Sequence, residues 1–266
     1  MENQHFVAVI GAGPEGLFGA RELANNGVRV ALFNRDIKAG GLAEYGIYPE
    51  KHTMKEGLRK QFRQALALAN IDYYGNVLIG TNGDLTLEDI RAMGFDAVLV
   101  SAGAQGTKSL GLPGEDLDGV YHAKDVVYFY NKLPPFSQRQ FRFGKRCAII
   151  GAGNVMVDIA RHLILAQNVE EITAVVRRGP AEVNFTRDEM KHLITYLDLD
   201  EFEREMERVK PALDAIQQDP EIGRHKILDS LSKADPKTSN AKFHFDFLAS
   251  PTAMYGENGV LTNLEV

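Results

Sequence analysis

The sequence has a single cysteine among its 266 residues, and this scarcity limits the chemistry of the chain. One cysteine cannot form an intrachain disulfide or a redox-active CxxC pair, and it cannot supply the thiolates of an iron–sulfur cluster. The residue, Cys147, stands in an apolar run that predicts a core strand. We therefore expect it to be a small buried hydrophobic residue.

Long apolar runs and an excess of positive charge are missing as well. No apolar run reaches the ~18 residues of a membrane-spanning helix. The formal net charge of −6 argues against general affinity for nucleic acid and against a polybasic membrane anchor. The first residues lead almost directly into a strand pattern, so we expect no signal or transit peptide and a cytoplasmic protein. The hydrophobic content of 44% is that of a soluble globular protein, and the length allows two domains.

A strand–turn–helix pattern opens the chain. The apolar run Phe6–Ile10 enters GAGPEG at residues 11–16, a complete G-x-G-x-x-G, and helical spacing follows. Such glycines permit a tight turn and the approach of a pyrophosphate to the helix N-terminus. One glycine motif is a weak signal, and a plain strand–helix turn is the alternative. Because a second motif follows later, we expect dinucleotide binding here.

The second predicted strand ends at Asn34 and Arg35, 18 residues beyond Gly16. A carboxylate is usual at the position of Asn34, where it binds the ribose hydroxyls. The amide oxygen of Asn34 can still accept one hydrogen bond, but without charge assistance. We expect a site that binds more weakly or depends on other contacts.

Residues 145–178 repeat the pattern, with a strand, the turn GAGNVM at 151–156, a helix and a second strand. Met156 takes the third motif position, which is normally small. The second strand ends at Arg177 and Arg178, whose guanidinium groups match a 2′-phosphate, whereas a carboxylate would match the free hydroxyl of NAD. We expect NADP(H) here; a nucleotide-free unit with two solvated arginines is the alternative.

Two further segments lie between these motifs. GGLAEYGIYP at 40–49 has glycines that allow close approach of a ligand, and its two tyrosines could wall a flat ring. The amphipathic helix over residues 54–70 has a cationic face, which we expect to be solvated or to bind an acidic partner protein. The cations of that face are Lys51, Lys55, Arg59, Lys60 and Arg63.

The rest of the chain is predicted from local patterns. Residues 71–79 read as two short strands, residues 85–93 as a helix capped by Thr86, and residues 97–101 as a core strand. In the second half, Thr186 and Glu189 form a capping box, and residues 198–240 predict two surface helices and a loop. Alternating phenylalanines at 243–247 predict a strand, and residues 254–266 a hairpin.

The motifs together resemble the adrenodoxin reductase family of NADPH-ferredoxin reductases, and more distantly the small subunit of glutamate synthase. The stretches that carry the resemblance occur in the family's order. They are GAGPEGL at 11, GGLAEYGIYP at 40, YGNVLIG at 74, FDAVLVSAGA at 95, LGLPGED at 110, GAGNVMVDIAR at 151 and RRGPAEVNFT at 177.

The resemblance implies an α/β fold with two Rossmann-like dinucleotide-binding domains, as in glutathione reductase. Residues 1–105 would form the FAD-binding domain, 106–144 a linker, and 145–266 the NADP-binding domain with a helical insertion at 198–240. The family's chain then returns to complete the FAD domain. That C-terminal segment is missing from this sequence, which stops on a strand at Val266. We expect a fragment of a longer protein, a protein whose missing part another chain supplies, or a truncated relative with or without altered catalysis.

The resemblance also implies cofactor-binding roles. Gly11, Gly13 and Gly16, with Pro14 and Glu15 between them, would cradle the FAD pyrophosphate, and Asn34 and Arg35 would lie at its ribose. Gly41, Leu42, Tyr45 and Gly46 would approach the flavin, and Ala102, Gly103 and Ala104 its far side. For NADPH, the implied residues are Gly151, Gly153, Asn154 and Val155 at the phosphates, Arg177 and Arg178 at the 2′-phosphate, and Glu189 near the carboxamide.

The implied activity is hydride transfer from NADPH to FAD, followed by electron transfer to an acidic ferredoxin-like iron–sulfur protein or an adjoining subunit. Because the cofactors carry this chemistry, no residue is expected to act as an acid or base. A nucleotide-binding structural or regulatory subunit without turnover is the alternative. Asn34 and the missing C-terminal segment favour that alternative.

Overall fold

The computed structural model describes residues 5–266, which fold into two compact units. The first unit contains the described residues up to Thr107 together with Val127–Gln138. The second contains Lys108–Val126 and Arg139–Val266. The segment predicted as a linker is divided between the two units. No helix within residues 5–266 has the combination of length and apolarity needed to cross a membrane.

The first unit is built on a parallel four-stranded sheet in the order β3-β2-β1-β4. Its elements are β1 (Phe6–Ile10), α1 (Pro14–Asn25), β2 (Arg29–Asn34), α2 (Gly41–Tyr45), α3 (His52–Leu66), β3 (Ile71–Gly75), α4 (Leu87–Ala92) and β4 (Ala97–Val100). Helix α5 (Ala123–Tyr130) spans the boundary between the units.

Helices cover both faces of this sheet, which agrees with the continuous apolar runs in β1, β2 and β4. Successive strand residues point to opposite faces. Val9 of β1 packs with Leu17 of α1 and Phe62 of α3, whereas its neighbour Ala8 packs with Ile90 of α4. The predicted α/β class is confirmed.

Two local predictions in this unit are wrong. Residues 71–79 contain one strand rather than two, because β3 ends at Gly75. Asn76 turns the chain there with a left-handed φ of 59°, and Val77 N then donates to Asn34 O at the end of β2 at 2.9 Å. Strand β4 is not a core strand, since it lies at the sheet edge, where Val100 is 61% exposed. The predicted cap of α4 is confirmed, with Thr86 and Asp89 in a reciprocal capping box.

The second unit contains a parallel three-stranded sheet in the order β5-β6-β7 and an antiparallel hairpin. Its elements are β5 (Arg146–Ile150), α6 (Asn154–Gln167), β6 (Glu171–Val176), α7 (Arg187–Met190), α8 (Leu199–Ala215), α9 (Pro220–Leu228), β7 (Lys242–Phe247), β8 (Ala253–Glu257) and β9 (Val260–Glu265). The alternating phenylalanines of β7 are buried, as predicted.

The charged segment between β6 and β7 forms helices as predicted, but its few apolar residues complete the core. In α8 they recur at helical spacing on one face, which packs on β7. The four buried side chains are Phe202, Met206, Val209 and Leu213.

The hairpin turns at Asn258 and Gly259, whose φ values of 53° and 80° are those of a type I′ turn. Two strands alone are marginally stable in water. Here the segment before α5 supports them, because Asp118 N donates to Gly259 O at 3.0 Å and Leu261 N donates to Asp118 O at 2.8 Å.

Candidate nucleotide-binding sites

Two glycines of the first turn are required by the fold itself. Gly11 has a φ of 106°, and a Cβ placed on it would lie 2.4 Å from the carbonyl oxygen of Ser101. A Cβ on Gly16 would lie 1.8 Å from Gly11 O. Ser101, which follows β4, also donates its hydroxyl to Gly11 O at 3.0 Å. Sequence reasoning missed this serine because the contact joins residues 90 positions apart.

Gly13 has no such requirement. Its φ of −73° suits any residue, and a Cβ on it would meet no described atom within 4 Å. Gly13 caps α1, where Pro14 and the exposed Glu15 form the first turn. A glycine cap leaves the first backbone N–H groups of the helix without a side-chain acceptor. Open space beside these donors fits a pyrophosphate.

Asn34 binds the glycine turn directly. Its side chain is buried, its Oδ1 accepts a hydrogen bond from Ala12 N at 3.1 Å, and its Nδ2 donates to Asp36 O at 2.7 Å. A carboxylate could accept from Ala12 but could not donate to Asp36. The asparagine therefore ties the turn to the loop after β2. Its oxygen retains one lone pair with which to accept from a ribose hydroxyl.

Arg35 lies beside this junction. Its guanidinium contacts Asp36 Oδ1 at 3.1 Å and Gln105 Oε1 at 3.3 Å. Gln105 follows the exposed segment of Ala102, Gly103 and Ala104 at the carboxyl end of β4. The structure thus brings the ends of β2 and β4 together, as parallel neighbours of β1 require.

The GGLAEYG segment packs against the first glycine turn. Gly40 N donates to Ala12 O at 2.8 Å, and a Cβ on Gly41 would lie 2.9 Å from Gly13 Cα. At the other end of α2, Gly46 N donates to Leu42 O at 2.7 Å. Two segments that are distant in sequence therefore meet beside Gly13.

The tyrosines of this segment do not line that space with open ring faces. Tyr45 and Tyr48 are 7% and 4% exposed, and burial raises the pKa of the Tyr45 hydroxyl to about 12. Tyr48 instead makes an edge contact with Tyr130. The exposed apolar side chain of the segment is Leu42, at 61%.

The cationic face predicted for α3 is only partly solvated. Lys55 is 7% exposed and donates to Asn131 Oδ1 at 2.8 Å, and burial lowers the pKa of its ammonium group. Arg59 forms hydrogen bonds with Glu44 and Glu56. Lys55 therefore serves the interior of the unit, so the prediction is wrong for this residue, whereas Arg59 is 32% exposed.

The second glycine turn repeats the geometry at the carboxyl end of β5. Gly151 has a φ of 119° and its N–H donates to Val175 O at 2.9 Å. A Cβ on Gly153 would meet no described atom within 4 Å. Asn154 and Val155 begin α6, and Val155 is 53% exposed. Met156 points into the core at 4% exposure, so the fold accommodates the large third motif residue.

Two hydrogen bonds attach the segment of Glu189 to this turn. Asn184 N donates to Ala152 O and Thr186 N donates to Asn154 Oδ1, both at 2.8 Å. Thr186 caps α7 as predicted, since its hydroxyl accepts from the N–H of the half-buried Glu189. The predicted capping box does not form, because Thr186 N donates to Asn154 Oδ1 rather than to the Glu189 side chain.

Arg177 and Arg178 follow β6 and are exposed. They lie at the same carboxyl edge of the sheet as the glycine turn, because β5 and β6 are parallel neighbours. Arg178 Nε lies 3.9 Å from Glu182 Oε1, a long contact between exposed groups. Such a contact constrains the guanidinium little and leaves it available to an anion.

Cys147 of β5 is half-buried, and burial raises the pKa of its thiol to about 11. Only the thiolate is nucleophilic. The prediction of a buried residue in a core strand is wrong, because β5 lies at the edge of its sheet and alternates exposed with half-buried residues.

Each unit therefore joins a parallel sheet, a glycine turn and a helix N-terminus in the manner of a Rossmann-type dinucleotide-binding fold. Residues 5–196 match the pyridine nucleotide-disulphide oxidoreductase family. The chain belongs to this family.

Known relatives confirm the resemblance deduced from the motifs. The chain is 29% identical to NADPH-ferredoxin reductase FprA of Mycobacterium leprae, over 96% of this chain and 62% of that protein. It is 34% identical to the mitochondrial NADPH:adrenodoxin oxidoreductase of Salvelinus fontinalis, over 71% of this chain and 41% of that protein. The solved structure of Mycobacterium tuberculosis FprA in complex with NADPH superimposes with a TM-score of 0.78 at 26% identity, covering 96% of this chain and 62% of that one.

Proposed function

We propose that this protein is an FAD-dependent oxidoreductase that takes hydride from NADPH and passes electrons to a ferredoxin-like iron–sulfur protein or adjoining subunit. The observation that carries the proposal is the pair of glycine turns with open space over Gly13 and Gly153, one in each unit. The names of the relatives, NADPH-ferredoxin and NADPH:adrenodoxin reductases, support the donor and the acceptor class.

In this proposal the first unit holds FAD. The N–H groups at the start of α1 bind the pyrophosphate over Gly13, and Asn34 offers its remaining lone pair to the ribose. The exposed Leu42 and the segment from Ala102 to Ala104 border the flavin. Bound FAD would supply the redox chemistry, accepting hydride and releasing single electrons.

The second unit binds and orients NADPH. The N–H groups of Asn154 and Val155 face the phosphates, and Arg177 and Arg178 bind the 2′-phosphate, which planar guanidinium groups recognise better than ammonium groups do. Glu189 lies on the segment attached to the turn and meets the carboxamide. No side chain transfers a proton in this proposal.

A spectroscopic experiment tests the proposal. The purified chain is incubated with FAD, freed of unbound flavin, and titrated anaerobically with NADPH or NADH. We expect retained flavin absorbance near ~450 nm that NADPH bleaches and NADH bleaches poorly. Failure to retain flavin would contradict the enzyme proposal. Retained NADPH binding in that case would support a nucleotide-binding subunit without turnover.

A further inference from the structure

The carboxylate of Glu44 is the centre of a buried charge network within the first unit. Glu44 is 7% exposed and belongs to α2, the short helix of the GGLAEYG segment. Arg59 of α3 binds it with two hydrogen bonds of 2.7 Å, from Nε to Oε2 and from Nη2 to Oε1. Lys38, in the loop after β2, donates to Oε1 at 2.5 Å.

The network keeps Glu44 ionised. Burial alone would raise the pKa of this carboxyl, but the hydrogen bonds from Arg59 and Lys38 outweigh it and lower the pKa to about 2. A two-point guanidinium–carboxylate contact fixes direction as well as distance. Arg59 therefore restrains the orientation of α2.

The start of α2 contacts the first glycine turn directly. At the start of the segment, Gly40 N donates to Ala12 O, and Gly41 is so close to Gly13 that a Cβ would approach its Cα to 2.9 Å. Movement of α2 would change both contacts. A short helix of five residues has little intrinsic stability to resist such movement.

We propose that Arg59 is a positioning residue for the flavin site, acting through Glu44 to hold α2 against the first glycine turn. This inference rests on the proposed function. On this proposal, Arg59 of the predicted cationic face of α3 has a role in cofactor binding. Arg63, one turn later on the same helix, has no such role. Arg63 is 68% exposed, and its Nη2 lies 3.9 Å from Glu56 Oε2.

The first test measures how firmly α2 and its flanking glycines are held in place, without any cofactor. Hydrogen exchange of the Gly40 and Gly46 amides is compared in wild type, Arg59→Met, Arg59→Lys and the matched control Arg63→Met. We expect roughly tenfold faster exchange in Arg59→Met, an intermediate rate in Arg59→Lys, which keeps the charge but not the two-point contact, and the wild-type rate in Arg63→Met. Wild-type exchange in Arg59→Met would overturn the inference, whether or not the chain binds FAD.

The second test measures FAD affinity by flavin fluorescence for the same variants and for Glu44→Gln. We expect Arg59→Met to raise the dissociation constant roughly tenfold, which corresponds to about 1.4 kcal/mol. The Arg59→Met/Glu44→Gln double variant should bind no more weakly than the worse single variant, because both remove one contact. If the losses of FAD affinity in the two single variants added in the double variant, Arg59 would not act through Glu44 and the inference would be overturned. An absence of FAD binding in the wild type would instead contradict the proposed function, and the exchange test would still decide the inference.

Discussion

The glycines of the first turn differ in what they do for the molecule, and the difference can be measured at single residues. Gly16 leaves no room for a Cβ because Gly11 O would lie 1.8 Å away, whereas Gly13 faces open space. Gly16 is therefore required by the fold. Gly13 is required only if a ligand approaches the backbone at that position.

We predict that Gly13→Ala folds with nearly wild-type stability but binds FAD at least roughly tenfold more weakly, because the new methyl group occupies the ligand's space. Gly16→Ala should lower the free energy of unfolding by about 1–3 kcal/mol through overpacking. Urea unfolding and flavin titration of both variants check the pair. A Gly13→Ala variant that binds FAD normally would contradict the placement of the pyrophosphate.

The arginine pair after β6 provides a second prediction. Replacing Arg177 and Arg178 by alanine should weaken NADPH binding by roughly tenfold or more and leave NADH binding unchanged, because only NADPH carries the 2′-phosphate. Arg146→Ala is the matched control, since this exposed arginine stands at the amino end of β5, away from the turn. Calorimetric titration measures both nucleotides, and equal losses for the two would argue against recognition of the 2′-phosphate.

Glu44 makes stability depend on pH in a defined window. Its folded-state pKa of about 2 is below the ordinary value of 4.5, so the ionised group stabilises the fold above pH 4.5 and loses that contribution as the pH falls toward 2. The full contribution is on the order of 3 kcal/mol. Glu44→Gln should therefore be less stable than wild type at pH 7, and the gap should narrow between pH 4.5 and 3. Denaturant unfolding of both proteins at pH 7 and pH 3 measures this difference in stability. A difference that does not change with pH would contradict the ionic origin.

At the scale of elements, local sequence signals determined where helices and turns begin and end. Packing against elements distant in sequence determined which side chains are exposed. The cap of α4 at Thr86 and the C-terminal hairpin form where the sequence predicted them. In contrast, β4 has the apolar composition of a core strand but lies at a sheet edge. A single strand cannot specify how many neighbours it will have.

The cap of α4 can be tested alone. Thr86 Oγ1 accepts from Asp89 N at 3.1 Å, and Asp89 Oδ2 accepts from Thr86 N at 2.8 Å. Thr86→Ala should lower the free energy of unfolding by about 1 kcal/mol. Thr81→Ala, at an exposed threonine in the preceding loop, should leave it within about 0.5 kcal/mol of wild type. Equal effects of the two substitutions would show that the cap contributes nothing.

At the scale of the whole molecule, the two proposed nucleotide sites belong to different compact units, each with its own sheet and core. The chain spans 62% of the length of the FprA relatives. In the proposed function, retention of FAD depends on residues of the first unit, whereas binding of NADPH depends on residues of the second.

This division predicts separable defects. Gly13→Ala should lose flavin but keep the wild-type affinity for NADPH, and the arginine double variant should keep flavin but lose NADPH selectivity. Combining the substitutions should give losses that add, because the residues belong to different compact units. Flavin content and NADPH affinity of the three variants are the measurements. A loss of NADPH affinity in Gly13→Ala would contradict independent binding.

The sequence by itself determined the two glycine turns, the period-two strand at Phe243–Phe247 of β7, the helix caps and the family. These features arise from contacts within a few residues, so their signals are local. Only the tertiary structure decided the roles of Asn34, Tyr45, Lys55, Arg59 and Ser101. Each depends on partners brought from distant positions by the parallel sheet, and whether a charged or aromatic side chain is buried depends on what packs against it. The helix pattern of α3 showed a stripe of cations, but only the fold placed Glu44 opposite one of them.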